Sequence, residues 1–384
     1  MDLALTPEQT AVRRTVRSWV DAVVVPAALA ADREERFPPQ ALDGLRSGGW
    51  LGLTIPEAYG GGGADPLSYC LVVEELGRGD ANVRSVLSVH LGLVAGSVLR
   101  WGTPEQREQW LPRMATGDVL GCFCLTEPDH GSDPASLTST ATREATGGYR
   151  LNGRKVFITN GDIAGLALVM ARTGGPGARG VSAFLVPTDA EGFRPRPIHG
   201  KLGLRSCDTA EIALDDVVVG PEALLGAEGD GLKVALSALD DGRMSLAASC
   251  TGLAQAALDA MTSYAGQRHQ FGRPIAGFQL IQELIADTAV DVDAARLLTW
   301  SVADLKARGE PYTLAASKAK YFASEAAVRA ANSAVQVHGG YGYIDEFVVG
   351  KLLRDARVTT LYEGTSQVQK LLIGRALTGV SAFT

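Results

Sequence analysis

YRLNGRKVFITNG, residues 149–161, is where the chain changes period. Upstream, apolar residues recur every three or four positions. Here Leu151, Val156 and Ile158 sit among polar neighbours, β-branched and aromatic residues dominate, and Asn152-Gly153 interrupts them. Asn-Gly between such runs is a strong short hairpin signal. The spacing predicts a hairpin at Asn152-Gly153, with strands over Tyr149–Leu151 and Lys155–Thr159. Further strands are predicted at Ala167–Arg172, Val181–Pro187 and Ala210–Val219. Five or more short strands with glycine loops suggest a small sandwich or barrel.

On either side the period is helical. Thr6-Pro7-Glu8-Gln9 is a capping box with proline at the first helical position, and Val12, Val16, Trp19, Val20 and Val23 follow at helical spacing. Thr103-Pro104-Glu105-Gln106 repeats the device before Trp110 and Leu111. Pro66–Leu76 and Val83–Leu99 also read as helices, while Pro38-Pro39 and Gly60–Gly63 read as loops. From Gly231 onward the pattern stays helical, through Leu280–Arg308 and Ala315–Val337, the latter stopped by Gly339-Gly340. Four long helices with short connections are expected to form a bundle. Near the end, Ser366 and Gln369 have capping-box spacing. The chain is therefore expected to be mainly α with a central β-domain. The expected boundaries are a helical domain over 1–120, a β-domain over 121–230 and a bundle over 231–384.

The bulk numbers agree with several domains, since 384 residues exceed one ordinary core. With 46% apolar and 21% charged residues the composition is globular. A net charge of −7 argues against nucleic acid as a partner, because no broad basic field exists to displace counterions. Cys70, Cys122, Cys124, Cys207 and Cys250 are too scattered for a disulfide framework or a zinc site, which points to a reduced, cytoplasmic compartment. Asp2 and Glu8 do not suit a signal peptide. The apolar stretch Val20–Ala31 is broken by Asp21 and Pro26 and is too short to span a bilayer.

Gly175-Pro176-Gly177-Ala178-Arg179-Gly180 matches G-x-G-x-x-G. The dinucleotide motif needs a helix after it, so that the helix N-terminus meets a pyrophosphate. Here a strand closed by Pro187 follows, and the stretch is read as a hairpin loop.

Other stretches carry more chemistry. In FCLTEPDHGSDP (123–134) a strand runs into a loop whose Thr126, Gly131 and Ser132 offer hydroxyl and N–H groups to a ring edge or a phosphate. Asp129, His130 and Asp133 have no standard metal-ligand spacing, and no metal is expected. KVFITNG (155–161), RHQFGRP (268–274) and QVHGGYGY (336–343) complete the set. LYEGTSQVQK (361–370) puts a lone carboxylate, Glu363, beside Tyr362 at a helix entrance. The plainer reading of Glu363 is an acid favouring the helix dipole.

In order and spacing these stretches resemble the acyl-CoA dehydrogenase family, the flavoenzymes that desaturate acyl thioesters. The resemblance spans the chain, from TPEQ through IPEAYGGGG (Ile55–Gly63), TEPDHGSD, FITNG, FGRPIAGFQLIQ and HGGYGY to YEGTSQVQ. It implies a helical N-terminal domain, a middle β-domain and a C-terminal four-helix bundle, with one FAD per subunit and usually a homotetramer. It implies that Phe123–Ser132 and Phe157, Ile158 and Thr159 line the isoalloxazine ring, with backbone groups of Leu125 and Thr126 on its polar edge. Arg268, Gln270 and Phe271, with Gln336, Gly339 and Gly340, would hold the diphosphate and adenosine of FAD bound by a neighbouring subunit. Thr365 and Gln367 would touch the dinucleotide, and Arg243 would meet the nucleotide end of CoA. Glu363 would be the catalytic base, taking the α-proton while Cβ gives a hydride to flavin N5. Tyr362 would help desolvate it and Gly364 would leave room for the thioester. Some relatives place the base near Asp240–Arg243, where this chain has Gly242.

The substrate is left open by mixed signals. Arg84 and Ser85 match the pair that grips a distal carboxylate in the glutaryl-CoA dehydrogenase branch, yet that branch's glutamate seven positions earlier is Gly77 here. HGGYGY and YEGTSQVQ lean toward the short-chain butyryl branch. A further branch with Arg-Ser acts on carrier-protein-bound acyl groups. The plainer reading is that Arg84 pairs on its helix. The expectation is FAD-dependent dehydrogenation of a short or polar acyl thioester, on CoA or an acyl carrier protein, with electron-transfer flavoprotein as acceptor. A flavin oxidase or monooxygenase on the same fold and a non-catalytic scaffold are the competing classes.

Overall fold

The computed structural model describes residues 4–145 and 147–382. Two of the three predicted capping boxes form: Thr6 accepts from the Gln9 N–H and Thr103 from the Gln106 N–H, each glutamine reaching back to its cap. The N-terminal part holds α1 (Pro7–Trp19), α2 (Val25–Glu34), α3 (Pro39–Ser47), α4 (Pro66–Gly79), α5 (Ala81–Ser88), α6 (Gly96–Trp101) and α7 (Pro104–Thr116). The helix predicted over Val83–Leu99 is α5 and α6 joined by a π-helical turn at Val89–Ala95. The whole run, Ala81–Trp101, is long and apolar enough to cross a membrane, but its most apolar window is 78% buried inside the protein. It is a core helix, carrying Val83, Val86, Leu87, Leu91 and Val94 into the main apolar cluster.

The central strands are β1 (Gly121–Cys124), β2 (Thr140–Arg143), β3 (Tyr149–Thr159), β4 (Leu166–Arg172), β5 (Val181–Pro187), β6 (Phe193–Pro197), β7 (Thr209–Val219) and β8 (Leu224–Leu225). They form one sheet in the order β6-β7-β3-β2-β4-β5-β8, with β1 parallel to β4. The hairpin predicted at Asn152-Gly153 does not exist. β3 runs straight through it, with a bulge between Leu151 and Gly153 opposite β7. A Cβ at Gly153 would lie 2.2 Å from Ser139 Oγ, so this glycine serves a close approach and not a turn. Asn152 is tied to β7, donating to Asp216 Oδ1 and accepting from the Asp216 N–H, both at 2.9 Å. Alternation within β4 fills two cores. Leu166, Leu168 and Met170 face the helices, while Ala167, Val169 and Ala171 face the sheet's own cluster with Cys122, Cys124 and Phe184. As expected, a strand follows the G-x-G-x-x-G stretch, and Arg172 donates to the carbonyls of Gly175 and Gly177 within it.

The C-terminal part holds α8 (Gly231–Gln267), α9 (Gln279–Ala307) and α10 (Thr313–His338), then the shorter α11 (Val348–Thr359) and α12 (Ser366–Thr378). Three helices are long, not four; α11 packs against both α8 and α10 and takes the fourth place. Between α8 and α9 lies a ribbon, β9 (His269–Gln270) and β10 (Arg273–Pro274).

Candidate active site

Glu363 stands in the loop between α11 and α12, and its backbone is left-handed (φ 58°), as is that of Gly364 (φ 85°). Such a conformation is costly for a non-glycine residue and needs support. The support comes from three helices. Arg243 Nε of α8 donates to the Glu363 carbonyl at 3.3 Å, and Gln369 Nε2 of α12 to the same oxygen at 3.0 Å. Lys320 Nζ of α10 donates to the Gly364 carbonyl at 2.7 Å. The cap expected at Ser366 is Thr365, whose hydroxyl accepts from the Val368 N–H; Ser366 donates instead to Glu325, and Gln369 turns back to the loop.

The Glu363 carboxyl fits against Gly242, where a Cβ would lie 2.5 Å from Oε2. Oε2 is enclosed and has no partner among the described residues. Burial raises the Glu363 pKa to about 7, against the opposing pull of Arg243, Lys320 and Arg84. The N–H of Glu363 makes no hydrogen bond among the described residues.

Arg84 is 4% exposed, and its guanidinium donates to the Tyr362 hydroxyl at 2.7 Å. Its Nε has no partner, and no carboxylate lies within 4.0 Å of it among the described residues. A buried cation without a counter-ion is unusual. Ser85 corrects the expectation of a gripping pair: its hydroxyl turns back onto the Ala81 carbonyl of its own helix at 2.8 Å. Arg243 corrects another. It is buried beneath the Glu363 loop and paired with Asp240 at 2.7 Å, so it is not open to a nucleotide. Gly77 has no room for a side chain, since a Cβ there would meet the Ser249 carbonyl of α8 at 2.5 Å.

The loops at the sheet end are fixed by a buried ion pair, Lys155 to Glu127 at 2.7 Å. Burial opposes ionisation of Glu127, but Lys155 and the Ser139 and Thr138 donors outweigh it and bring its pKa to about 2. Lys155 also donates to the Leu125 carbonyl, and the Thr126 carbonyl accepts from the Val156 N–H. The Thr126 N–H and hydroxyl are left without partners among the described residues. Phe157 is left-handed and 68% exposed, its ring available as a wall. Phe123 and Thr159 are half-buried, and Gly131 and Ser132 are exposed. Ile158 is corrected: its side chain lies in the sheet's core and can line nothing. Asn160 ties this end of β3 to the Arg84 helix, donating to the carbonyls of Val86 and Gly121.

The second set also converges. Arg268, Gln270, Gly339 and Gly340 line a cleft of about 540 Å³ with His338 and Tyr341. Phe271 stands beside it, 93% exposed. Gln336 and Gln367 are exposed, while the Thr365 hydroxyl is occupied as a helix cap. Among the described residues no group of three or more His, Cys, Asp or Glu is placed to hold a metal.

Lys320 escaped the sequence reading, as did the structural roles of Gln369, Lys155, Glu127 and Asn160. A signal existed for Lys320, which falls on the alanine face of α10 with Ala316, Ala319, Ala323 and Ala327.

A carboxylate among helices with one oxygen enclosed, joined to hydroxyl- and N–H-bearing loops at a sheet edge, suits a flavin-dependent oxidoreductase. Models of the acyl-CoA dehydrogenase N-terminal, middle and C-terminal domains match residues 6–118, 122–217 and 229–378. An acyl-CoA dehydrogenase of Bacillus subtilis is 44% identical, over 98% of this chain and 99% of its own. Butyryl-CoA dehydrogenase from Megasphaera elsdenii superposes with a TM-score of 0.96 at 39% identity, covering 98% of this chain and 100% of its own. A glutaryl-CoA dehydrogenase from Mycobacterium smegmatis in complex with FADH2 gives 0.94 at 35% identity, covering 99% and 97%. The chain belongs to the acyl-CoA dehydrogenase family, flavin-dependent oxidoreductases that act on acyl-CoA, and its cofactor is FAD. The residues present fit that cofactor: Thr126 has free donors, Phe157 an open ring, and the Arg268 cleft a cation among glycines.

Proposed function

We propose that the protein carries out α,β-dehydrogenation of a short or polar acyl thioester, with Glu363 as the base. The observation that carries this is the enclosed Glu363 carboxyl, lacking any partner and held against Gly242 by a loop clamped from three helices. A base must be ionised to act and little solvated when it does, and a pKa near 7 supplies both. The α-proton of a thioester passes to the Glu363 carboxylate. The free N–H of Glu363 is a donor for the thioester oxygen as charge gathers there. FAD, when bound, accepts the hydride that leaves Cβ. Lys155 and Glu127 fix the Leu125–Thr126 loop that would hold the ring edge, and Arg268 and Gln270 would hold the dinucleotide.

Arg84 favours an acyl group with a polar or anionic end, because it supplies a buried, uncompensated cation one hydrogen bond from Tyr362. A carrier-protein thioester presents the same acyl end. Electron-transfer flavoprotein is the acceptor this reading carries. A homotetramer is supported by apolar side chains left uncovered on the single chain, Phe271, Leu280, Val290 and Tyr343. The test is to present butyryl-, isobutyryl- and glutaryl-CoA and a carrier-bound short acyl group to the flavoprotein without oxygen. Bleaching of the flavin by one of them is expected, preferably one with a polar end. No bleaching would contradict the proposal, and bleaching followed by steady oxygen uptake in air would assign an oxidase instead.

A further inference from the structure

We infer that Lys320 is a positioning residue for Glu363, pinning the turn that presents the carboxylate and adding positive charge against which it ionises. The inference rests on the reading of Glu363 given above.

Lys320 is 0% exposed, yet no carboxylate lies within 4.0 Å of its Nζ among the described residues. Buried lysines are ordinarily paired with an acid, so a lysine held this way has another task. Its hydrogen-bond acceptor is the Gly364 carbonyl, at 2.7 Å. That carbonyl belongs to a left-handed pair, Glu363-Gly364, which a relaxed loop would not keep. Arg243 and Gln369 hold the preceding carbonyl, so the two peptide planes flanking the turn are fixed from different helices.

The groups facing Glu363 can be sorted by what already neutralises them. From α5 comes Arg84, which donates to the Tyr362 hydroxyl and, like Lys320, has no carboxylate within 4.0 Å among the described residues. From α8, Arg243 is paired with Asp240, and Cys250 is a buried thiol with its pKa raised by burial. From α10 come Lys320 and Glu325, the latter accepting from the Ser366 hydroxyl. Arg243 thus has an acid of its own within ion-pair distance, whereas Lys320 has none. Burial lowers the Lys320 pKa to about 8 while burial raises that of Glu363 to about 7. Between those values both groups are charged, and each stabilises the other's charged form.

The test reads the Glu363 carboxyl itself. Infrared difference spectra of the FAD-loaded protein, with Glu363→Gln as the subtraction reference, give its protonation midpoint without substrate. Lys320→Met removes charge and donor; Lys320→Gln keeps a donor and removes the charge; Lys320→Arg keeps the charge. The midpoint is expected to rise by about one pH unit in the Met and Gln variants and to stay in place in the Arg variant. The acid limb of kcat/KM should move by the same amount. If Lys320→Met does not fold, Lys320→Gln carries the test. A midpoint equal to wild type in the variants lacking the charge, even with a lowered Tm, overturns the inference and leaves Lys320 a structural residue. The titration needs no turnover. A shifted midpoint in a protein that no acyl thioester reduces would therefore uphold the Lys320–Glu363 coupling and overturn the assigned reaction alone.

Discussion

Replacing Gly242 by alanine puts a methyl group where the Glu363 carboxyl now lies. The new carbon would stand 2.5 Å from Oε2, 2.7 Å from Cδ and 2.8 Å from Oε1. Ordinary contact is about 3.5 Å, so one side must yield by about 1 Å. Helix α8 cannot yield easily. At Gly252 its backbone touches α4 so closely that a Cβ would be 1.9 Å from the Glu74 carbonyl. The carboxyl therefore moves. A displacement of about 1 Å at the reacting group costs about 10²-fold in rate, or about 2.7 kcal/mol of activation free energy. Stability should fall by about 0–2.5 kcal/mol, because overpacking of about 1–3 kcal/mol is partly offset by the roughly 0.5–1 kcal/mol that alanine gains over glycine in a helix. The assay is stopped-flow flavin reduction without oxygen, alongside FAD content and Tm. Gly266→Ala on the same helix, where a Cβ meets nothing within 4 Å, is the control and should react like wild type. A Gly242→Ala protein that reduces its flavin at the wild-type rate would refute the placement of the base.

Other outcomes follow from the same geometry. kcat/KM should rise about tenfold per pH unit below the Glu363 pKa of about 7 and level off above it, since only the ionised carboxyl accepts a proton. The folded pKa lies above the ordinary 4.5, so the Glu363 contribution to stability is greatest below that value and falls as pH rises toward 7. Denaturant unfolding should accordingly find Glu363→Gln more stable than wild type above pH 7, by about 1–3 kcal/mol. Arg84→Met should lower kcat/KM by about 10²-fold for a polar-ended acyl thioester and far less for butyryl-CoA. Glu127→Gln leaves Lys155 buried without its acid; it should cost about 3–5 kcal/mol of stability and yield protein that loses FAD on gel filtration.

Local chemistry in the sequence carried much of the architecture. Capping boxes at Thr6 and Thr103 formed because side chain and backbone lie within four residues of each other. Strand β5 ran over Val181–Pro187, the short apolar run closed by proline. Several of the failures trace to partners distant in sequence. Asn152-Gly153 has hairpin chemistry, but Asp216 and Ser139 draw it into a continuous strand. Ser366 has cap spacing, but Glu325 takes its hydroxyl. Arg243 has the charge for a nucleotide, but Asp240 and the Glu363 carbonyl hold it inside. Glu363, Arg84 and Tyr362 stood out as residues in the sequence. The clamp did not: Lys320 was marked only by its place on the alanine face of α10, and its acceptor lies 44 residues away.

The most direct measurement is the rate of flavin reduction in wild type and in Glu363→Gln, without oxygen, using whichever acyl thioester bleaches the wild type. With FAD content equal, the variant should be slower by about 10²–10⁴-fold, the range a positioned general base supplies. A variant within a few-fold of wild type would mean that another group removes the α-proton, and that the enclosed carboxyl against Gly242 serves the fold alone.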